Sequence, residues 1–275
     1  MDEVVDLLAR NPEARLISGG ATLVAMMNAR LAAPEVLVSL AGVEELHGIR
    51  TLRGGGLRIG AFTRHRETAT SSLLHGPLAV LPAAASRIAN ATVRNMGTIG
   101  GSIAFADPGL DYPPALVAAN AEIEIASKTG RRRVAASDFF VDWYTTALVE
   151  GEVVTAVELP PPGDGDGVYL KHARVSGDYA TASVAISVRF ENQRRSLRVA
   201  VGACGPKPLF LDEVNALLSV RDDAGAIAQA GELLQSIADP IDDVRGSAAY
   251  RLALIPRLLG AALGEALGRT GMAHV

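Results

Sequence analysis

The chain has 275 residues, 49 % of them hydrophobic, and a formal net charge of -4. That is enough apolar chain for two or three compact units with real cores, and the acidic balance excludes a general polyanion binder, which needs a basic face. The single cysteine, Cys204, excludes an internal disulfide, a tetrathiolate zinc site and an iron-sulfur cluster held by this chain alone.

The chain opens "MDEVVDLLAR", with Val4, Val5, Leu7 and Leu8 at helical spacing, and Asn11-Pro12 stops that helix. The start is acidic and amphipathic, unlike a secretory leader, and the first strand of this domain is expected to be incomplete. "ARLISGG" reads as a buried strand ending in a glycine pair. "ATLVAMMNARLA" resumes helical spacing, with Leu23, Met26, Met27 and Leu31 near one face. "EVLVSL" and "LRIGAFT", the latter entered through Gly54-Gly55-Gly56, are strands, and "PLAVLPAAASRIA" is a helix with Pro82 near its start.

"NMGTIGGSIAF", Asn95 to Phe105, then concentrates three glycines between apolar runs. Such a cluster means a tight turn or a partner lying against bare backbone. Asp111 precedes "YPPALVAAN", whose prolines suit a first helical turn. "AEIEIAS" and "RRRVAAS" form a strand pair around Lys128-Thr129-Gly130, so Arg131-Arg132-Arg133 is either a solvated hairpin arm or a docking contact. "EVVTAVELP" is a further strand, and "PPPGDGDG", Pro160 to Gly167, is the clearest linker.

Beyond the linker the character changes. "VYLKHARV", "YATASVAISVRFE" and "SLRVAVGAC" read as an antiparallel three-stranded meander, followed by helices in "LDEVNALLSV", "DAGAIAQAGELLQSI" and "SAAYRLALIPRLLGAALGEALG". Cys204 reads as a small buried residue in a reducing compartment. No stretch reaches 18 uninterrupted apolar residues, because Pro256, Arg257 and Glu265 interrupt the best candidate. The cytoplasm is the expected location. The histidines His47, His65, His75, His172 and His274 lack ligand spacing, so no metal site is expected.

The pairs Gly19-Gly20 and Gly100-Gly101 each lie beside hydroxyls, Thr22 in one case and Thr98 and Ser102 in the other. Two such turns facing one ligand would offer backbone N-H groups to an anion. Neither matches the G-x-G-x-x-G or the G-x-x-x-x-G-K-S/T pattern, so these features by themselves point only to a nucleotide or dinucleotide binder.

"LISGGATLVAMMNAR" resembles the A-G-G-x-S/T-L loop, and "RNMGTIGGSIAFADPGLDYPPAL" the I/V-R-N-x-G-T-x-G-G-N/S loop, of the FAD-binding medium subunit of molybdenum hydroxylases. The relatives are the flavoprotein parts of xanthine dehydrogenase and carbon monoxide dehydrogenase. "VVTAVELP" and "YLKHARVSGDYATASVAI" extend the likeness over most of the chain. It implies an α+β architecture: an FAD-binding domain of the PCMH type over residues 1–162, in two α+β subdomains of about 1–55 and 56–162. A C-terminal α+β domain of the CO dehydrogenase flavoprotein type, with a three-stranded antiparallel sheet plus helices, follows over 163–275.

By that resemblance Ser18, Gly19, Gly20, Ala21, Thr22 and Leu23 wrap the FAD diphosphate, and Thr98, Ile99, Gly100, Gly101 and Ser102 form the opposing turn. Replacing Gly100 and Gly101 by valine should then abolish flavin retention and leave the fold largely intact. Asp111 accepts hydrogen bonds from ribose or ribityl hydroxyls, or it simply caps its helix. Ile88 and Val154 line the cofactor. Lys171 lies near the flavin, where Lys171→Met should make its potential more negative, or it only pairs with a surface acid. Tyr179 falls where relatives place an aromatic ring against the isoalloxazine, or it packs at a domain seam. Ser102 stands where many relatives have asparagine, and Ala21 retains only its amide as a contact.

The implied role is an electron-transfer subunit, with no catalytic acid-base pair or nucleophile of its own. The implied partners are a small subunit with two 2Fe-2S clusters and a large subunit with the molybdenum cofactor, in a dimer of heterotrimers, without nucleic acid or a membrane span. The rival readings are a stand-alone FAD-dependent oxidoreductase and a non-catalytic nucleotide-binding assembly module.

Overall fold

The computed structural model describes residues 1–192 and 194–271, with only the backbone at 269–271. His274 therefore lies outside the described residues. The first helix, α1 (Asp2–Arg10), buries Val4 and Val5, carries acids in its first turn and Arg10 in its last, and is closed by Asn11 before Pro12. Next come β1 (Arg15–Ile17), α2 (Leu23–Asn28) and β2 (Leu37–Ser39), and β1 pairs with β2 in parallel.

The helix expected over "ATLVAMMNARLA" stops at Asn28, the backbone turns left-handed at Arg30, and Leu31 is exposed. None of the residues of α2 is buried in protein. Its apolar side chains Leu23 and Met26 border a cavity instead, so apolar periodicity here marks a cavity wall rather than a core-facing stripe.

The chain then builds β3 (Ile49–Thr51), β4 (Leu57–Gly60), α3 (His65–Ala69), α4 (Val80–Ser86), α5 (Ala91–Met96), α6 (Ile99–Phe105) and α7 (Tyr112–Ala118). After these come β5 (Glu122–Ser127), β6 (Gly130–Ala135), α8 (Ala136–Phe139), β7 (Phe140–Asp142), β8 (Thr145–Thr146) and β9 (Val153–Leu159). Five strands form one antiparallel sheet in the order β3-β4-β9-β5-β6. Because β3 pairs with β4, a subdomain division near residue 55 cuts through a sheet.

On the edge strand β6, Arg131 pairs with Glu45 and Glu124, Arg132 with Glu152 and Arg133 with Glu158. The arginine run is thus a hairpin arm whose guanidiniums are paired within the chain. Glu124, buried in β5, also accepts from Arg58 at 2.8 Å and Thr155 at 2.6 Å, which offsets the cost of placing its charge in the sheet.

The last part contains β10 (Gly165–His172), β11 (Ala182–Glu191), β12 (Arg194–Gly202), α9 (Asp212–Val220), α10 (Ala224–Ser236) and α11 (Ala248–Gly271). Since β10 begins at Gly165, the linker is shorter than the sequence suggests. The antiparallel meander β10-β11-β12 packs against α9 and α11, and it also contacts α4 and α7 of the preceding part. Helices on both sides explain why β11 reads as a continuous apolar run. No helix among the described residues is long and apolar enough to cross a membrane.

Candidate flavin site

A cavity of about 1150 Å³ lies between α1, β1, α2, the α5–α6 junction, the β5–β6 hairpin tip and the loop that follows β10. Ser18, Gly19, Gly20, Ala21, Thr22 and Leu23 form one stretch of its wall, and Thr98, Gly100, Gly101 and Ser102 another. Ile88, Asp111, Val154 and Tyr179 complete the expected set. Two expected residues lie elsewhere: Ile99 is fully buried in the core, and Lys171 is outside the cavity wall.

The two glycine stretches, 81 positions apart in sequence, are in direct contact. Ser18 Oγ and Thr98 Oγ1 are 2.8 Å apart. Gly19 lies so close to the α5–α6 junction that a Cβ there would sit 1.8 Å from the Met96 carbonyl oxygen. Gly20 turns the chain with φ +73, a conformation that costs glycine little. The five successive amides from Gly19 to Leu23 donate to no carbonyl or side chain among the described residues. Thr22 and Ser102 hydroxyls also make no hydrogen bond there.

The second stretch differs from its expectation as an opposing turn. Gly100 and Gly101 begin α6, and their donors are already used: Ile99 N-H bonds to Thr63 O, Gly100 N-H to Ala61 O and Gly101 N-H to Thr98 Oγ1. Gly100 is glycine because a Cβ would lie 2.5 Å from that of Ala61. This stretch therefore supplies a rigid floor and the Ser102 hydroxyl, while the first supplies main-chain donors.

The only side-chain cations in the wall, among the described residues, are Arg15 and Lys128. A phosphate charge beside Gly19–Leu23 would be met by oriented amides, which is what a nest of successive N-H groups provides. The stretch thus fits a dinucleotide diphosphate. Open amides, a close-approach glycine and a free hydroxyl all lie on one wall of a space large enough for an extended ligand.

Asp111 occupies the N-cap position of α7, yet its side chain makes no capping bond. Its carboxylate instead accepts from Tyr169 Oη at 2.7 Å and from Lys171 Nζ at 2.9 Å, both on β10. Lys171 Nζ also donates to Arg87 O at 3.0 Å. Burial pushes the Asp111 carboxyl above the usual carboxylate range, against the opposing pull of Lys171 and the Tyr169 hydroxyl. Lys171 does pair with an acid, but with the buried Asp111 rather than a surface one.

His65 is a wall residue that the sequence did not single out. Its ring packs 5.4 Å from that of Tyr112 and is 4 % exposed, and its Nδ1 is buried without a hydrogen-bond partner among the described residues. Burial, aided by Arg94, depresses its pKa to about 4, so the imidazole is neutral at pH 7. The histidine beside "TRHRE" carried no spacing signal that would have revealed this. The α1 residues Val5, Leu8 and Ala9 were likewise legible only as a helix face, although they wall one end of the cavity.

Comparison with known proteins agrees with this geometry. Residues 1–162 match the family described as the FAD binding domain in molybdopterin dehydrogenase, and 168–266 match the CO dehydrogenase flavoprotein C-terminal domain. The carbon monoxide dehydrogenase medium chain of Hydrogenophaga pseudoflava is 35 % identical over 271 residues, covering 97 % of this chain and 94 % of that one. The nicotine 6-hydroxylase medium subunit of Paenarthrobacter nicotinovorans is 34 % identical over 275 residues, covering 98 % of this chain and 95 % of the relative. Among solved structures, the Hydrogenophaga pseudoflava carbon monoxide dehydrogenase lacking the Mo-pyranopterin moiety superposes with a TM-score of 0.92, at 35 % identity over 97 % of this chain and 94 % of that chain. With both domain types matched in order and the relatives aligned almost end to end, the chain belongs to the family of FAD-binding medium subunits of the molybdenum hydroxylases.

Proposed function

We propose that this chain holds FAD in the cavity and passes electrons through it, as the oxidoreductase flavoprotein subunit of a molybdenum hydroxylase complex. The observation that carries the reading is the run of open amides from Gly19 to Leu23, packed through Ser18 and Gly19 onto Thr98 and Met96. Those amides and the Thr22 hydroxyl receive the diphosphate, with Ser102 placed to add its hydroxyl. Asp111, held from β10 by Tyr169 and Lys171, accepts from a sugar or ribityl hydroxyl. Ile88 and Val154 shape the apolar wall, and Tyr179 lies against the isoalloxazine. FAD supplies the two-electron chemistry when bound, and the protein supplies position, electrostatics and exclusion of water.

Electrons arrive from two 2Fe-2S clusters on a small partner subunit, after substrate oxidation at the molybdenum cofactor of a large partner, and leave to a terminal acceptor. The assembly is a dimer of heterotrimers. The chain divides into an FAD-binding domain over 1–162 and a C-terminal domain over 163–275. The cytoplasm is its compartment, in keeping with the free, buried thiol of Cys204.

Isolation of the native complex, with cofactor and metal analysis of every subunit, tests this. A yellow chain co-purifying with molybdenum- and iron-containing subunits is expected. A colourless chain that takes up no FAD refutes the cofactor assignment, and a flavoprotein isolated alone refutes the complex.

A further inference from the structure

We propose that Arg245 is a positioning residue of the flavin site, acting through Tyr179. This rests on the reading that Tyr179 borders the flavin. Tyr179 sits in the loop between β10 and β11, and one edge of its ring lies over Gly109, where a Cβ would come within 3.2 Å of Tyr179 Cδ1. The Arg245 guanidinium is 5.0 Å from the ring centroid. That distance is within the range of a cation-π contact.

Arg245 belongs to a turn, Asp243 to Gly246, closed by mutual main-chain hydrogen bonds at 3.2 Å. That turn grips the Tyr179 loop along its length. Arg174 donates to Val244 O at 2.8 Å, and Thr181 Oγ1 to Arg245 O at 3.2 Å. Arg245 Nε lies 3.6 Å from the Asp178 carboxylate, which itself accepts the Tyr179 N-H at 2.7 Å. Asp243 anchors the arrangement, with Arg245 Nη1 at 3.2 Å and the buried Arg251 at 2.5 Å, and Arg251 also donates to Thr181 O at 2.7 Å.

These contacts tie the Tyr179 loop to the Asp243–Gly246 turn. Arg245, flanked by the Asp178 and Asp243 carboxylates, is thereby fixed against the Tyr179 ring. Arg245 therefore does two separable things: it fixes the plane Tyr179 presents to the cavity, and it biases the local potential toward the reduced, more negative cofactor.

The test compares wild type, Arg245→Leu, Arg245→Lys and Tyr179→Leu in the native complex. Flavin fluorescence, the flavin reduction potential and FAD affinity after flavin removal are measured. Arg245→Leu is expected to raise bound-flavin fluorescence severalfold, move the potential to more negative values and weaken FAD binding about threefold to tenfold. Arg245→Lys, which keeps the charge but not the planar fork, is expected to restore the potential and only part of the quenching. A folded Arg245→Leu complex with wild-type fluorescence, potential and affinity, beside a Tyr179→Leu complex that changes them, overturns the proposal and leaves Tyr179 at the flavin. If Tyr179→Leu changes none of them, the placement of Tyr179 fails instead. Should Arg245→Leu not assemble, a wild-type potential in Arg245→Lys together with unchanged fluorescence overturns the orienting role.

Discussion

Gly19→Ala is the sharpest perturbation of the flavin site. The added Cβ would lie 1.8 Å from the Met96 carbonyl oxygen, 2.7 Å from its carbon and 3.0 Å from the Gly97 Cα, all backbone atoms without a flexible end to move aside. Relief requires the Ser18–Leu23 stretch to retreat from the α5–α6 junction by more than an ångström, which also strains the Ser18–Thr98 contact. Hydrogen bonds to a charged group are each worth about 1.5 to 3 kcal/mol, so misdirecting one amide should weaken FAD binding about tenfold to a hundredfold. The assay is titration of the flavin-free chain with FAD, followed by fluorescence. Gly42→Ala is the control, since a Cβ there meets nothing within 4 Å. A folded Gly19→Ala protein with wild-type FAD affinity refutes the diphosphate cradle.

Three further outcomes follow from the same structure. His65 binds its proton less readily folded, at about 4, than unfolded, at 6.5, so stability is full above the unfolded value and falls as pH drops between the two. The loss should be about 2 kcal/mol by pH 5 in urea titrations, and it should vanish in His65→Phe; an identical pH slope in both proteins contradicts the assignment. Asp111→Asn strands the Lys171 ammonium beside a neutral amide and should cost about 3 kcal/mol. Adding Lys171→Met should recover most of it, and additive losses in the double variant would show that the pair is uncoupled. Burial pushes the Cys204 thiol up to about 12, so iodoacetamide at pH 8 should leave the native chain unmodified and label it only in denaturant. Rapid native labelling would contradict that burial.

The order of strands and helices beyond Gly165 was legible because period-two and continuous apolar runs report sheets with one or two covered faces. The loops "LISGGATL" and "RNMGTIGGS" announced a shared site, and Ser18 and Thr98 do meet. What the glycines do could not be read from the letters. Gly100 packs against Ala61 as well as lining the cavity, so the valine replacement expected to spare the fold would disrupt the core. Ile99 sits next to cavity residues in sequence but turns into the interior, because adjacent helical positions face different sides. The loss of Lys171 from the wall had a different origin. Only the tertiary register that brings the Tyr169 and Lys171 side chains of β10 to the start of α7 shows that its charge is taken by Asp111.

That cross-chain arrangement bears on how such a protein can be rearranged. The acid that faces the cavity is carried by the front half, and both groups that steady it come from the back half. Expressed without its companion, the front half would carry a naked carboxylate in an oily seam. A graft that exchanges the rear portion for a foreign one must therefore import a matching tyrosine and lysine, or leave its flavin poorly seated.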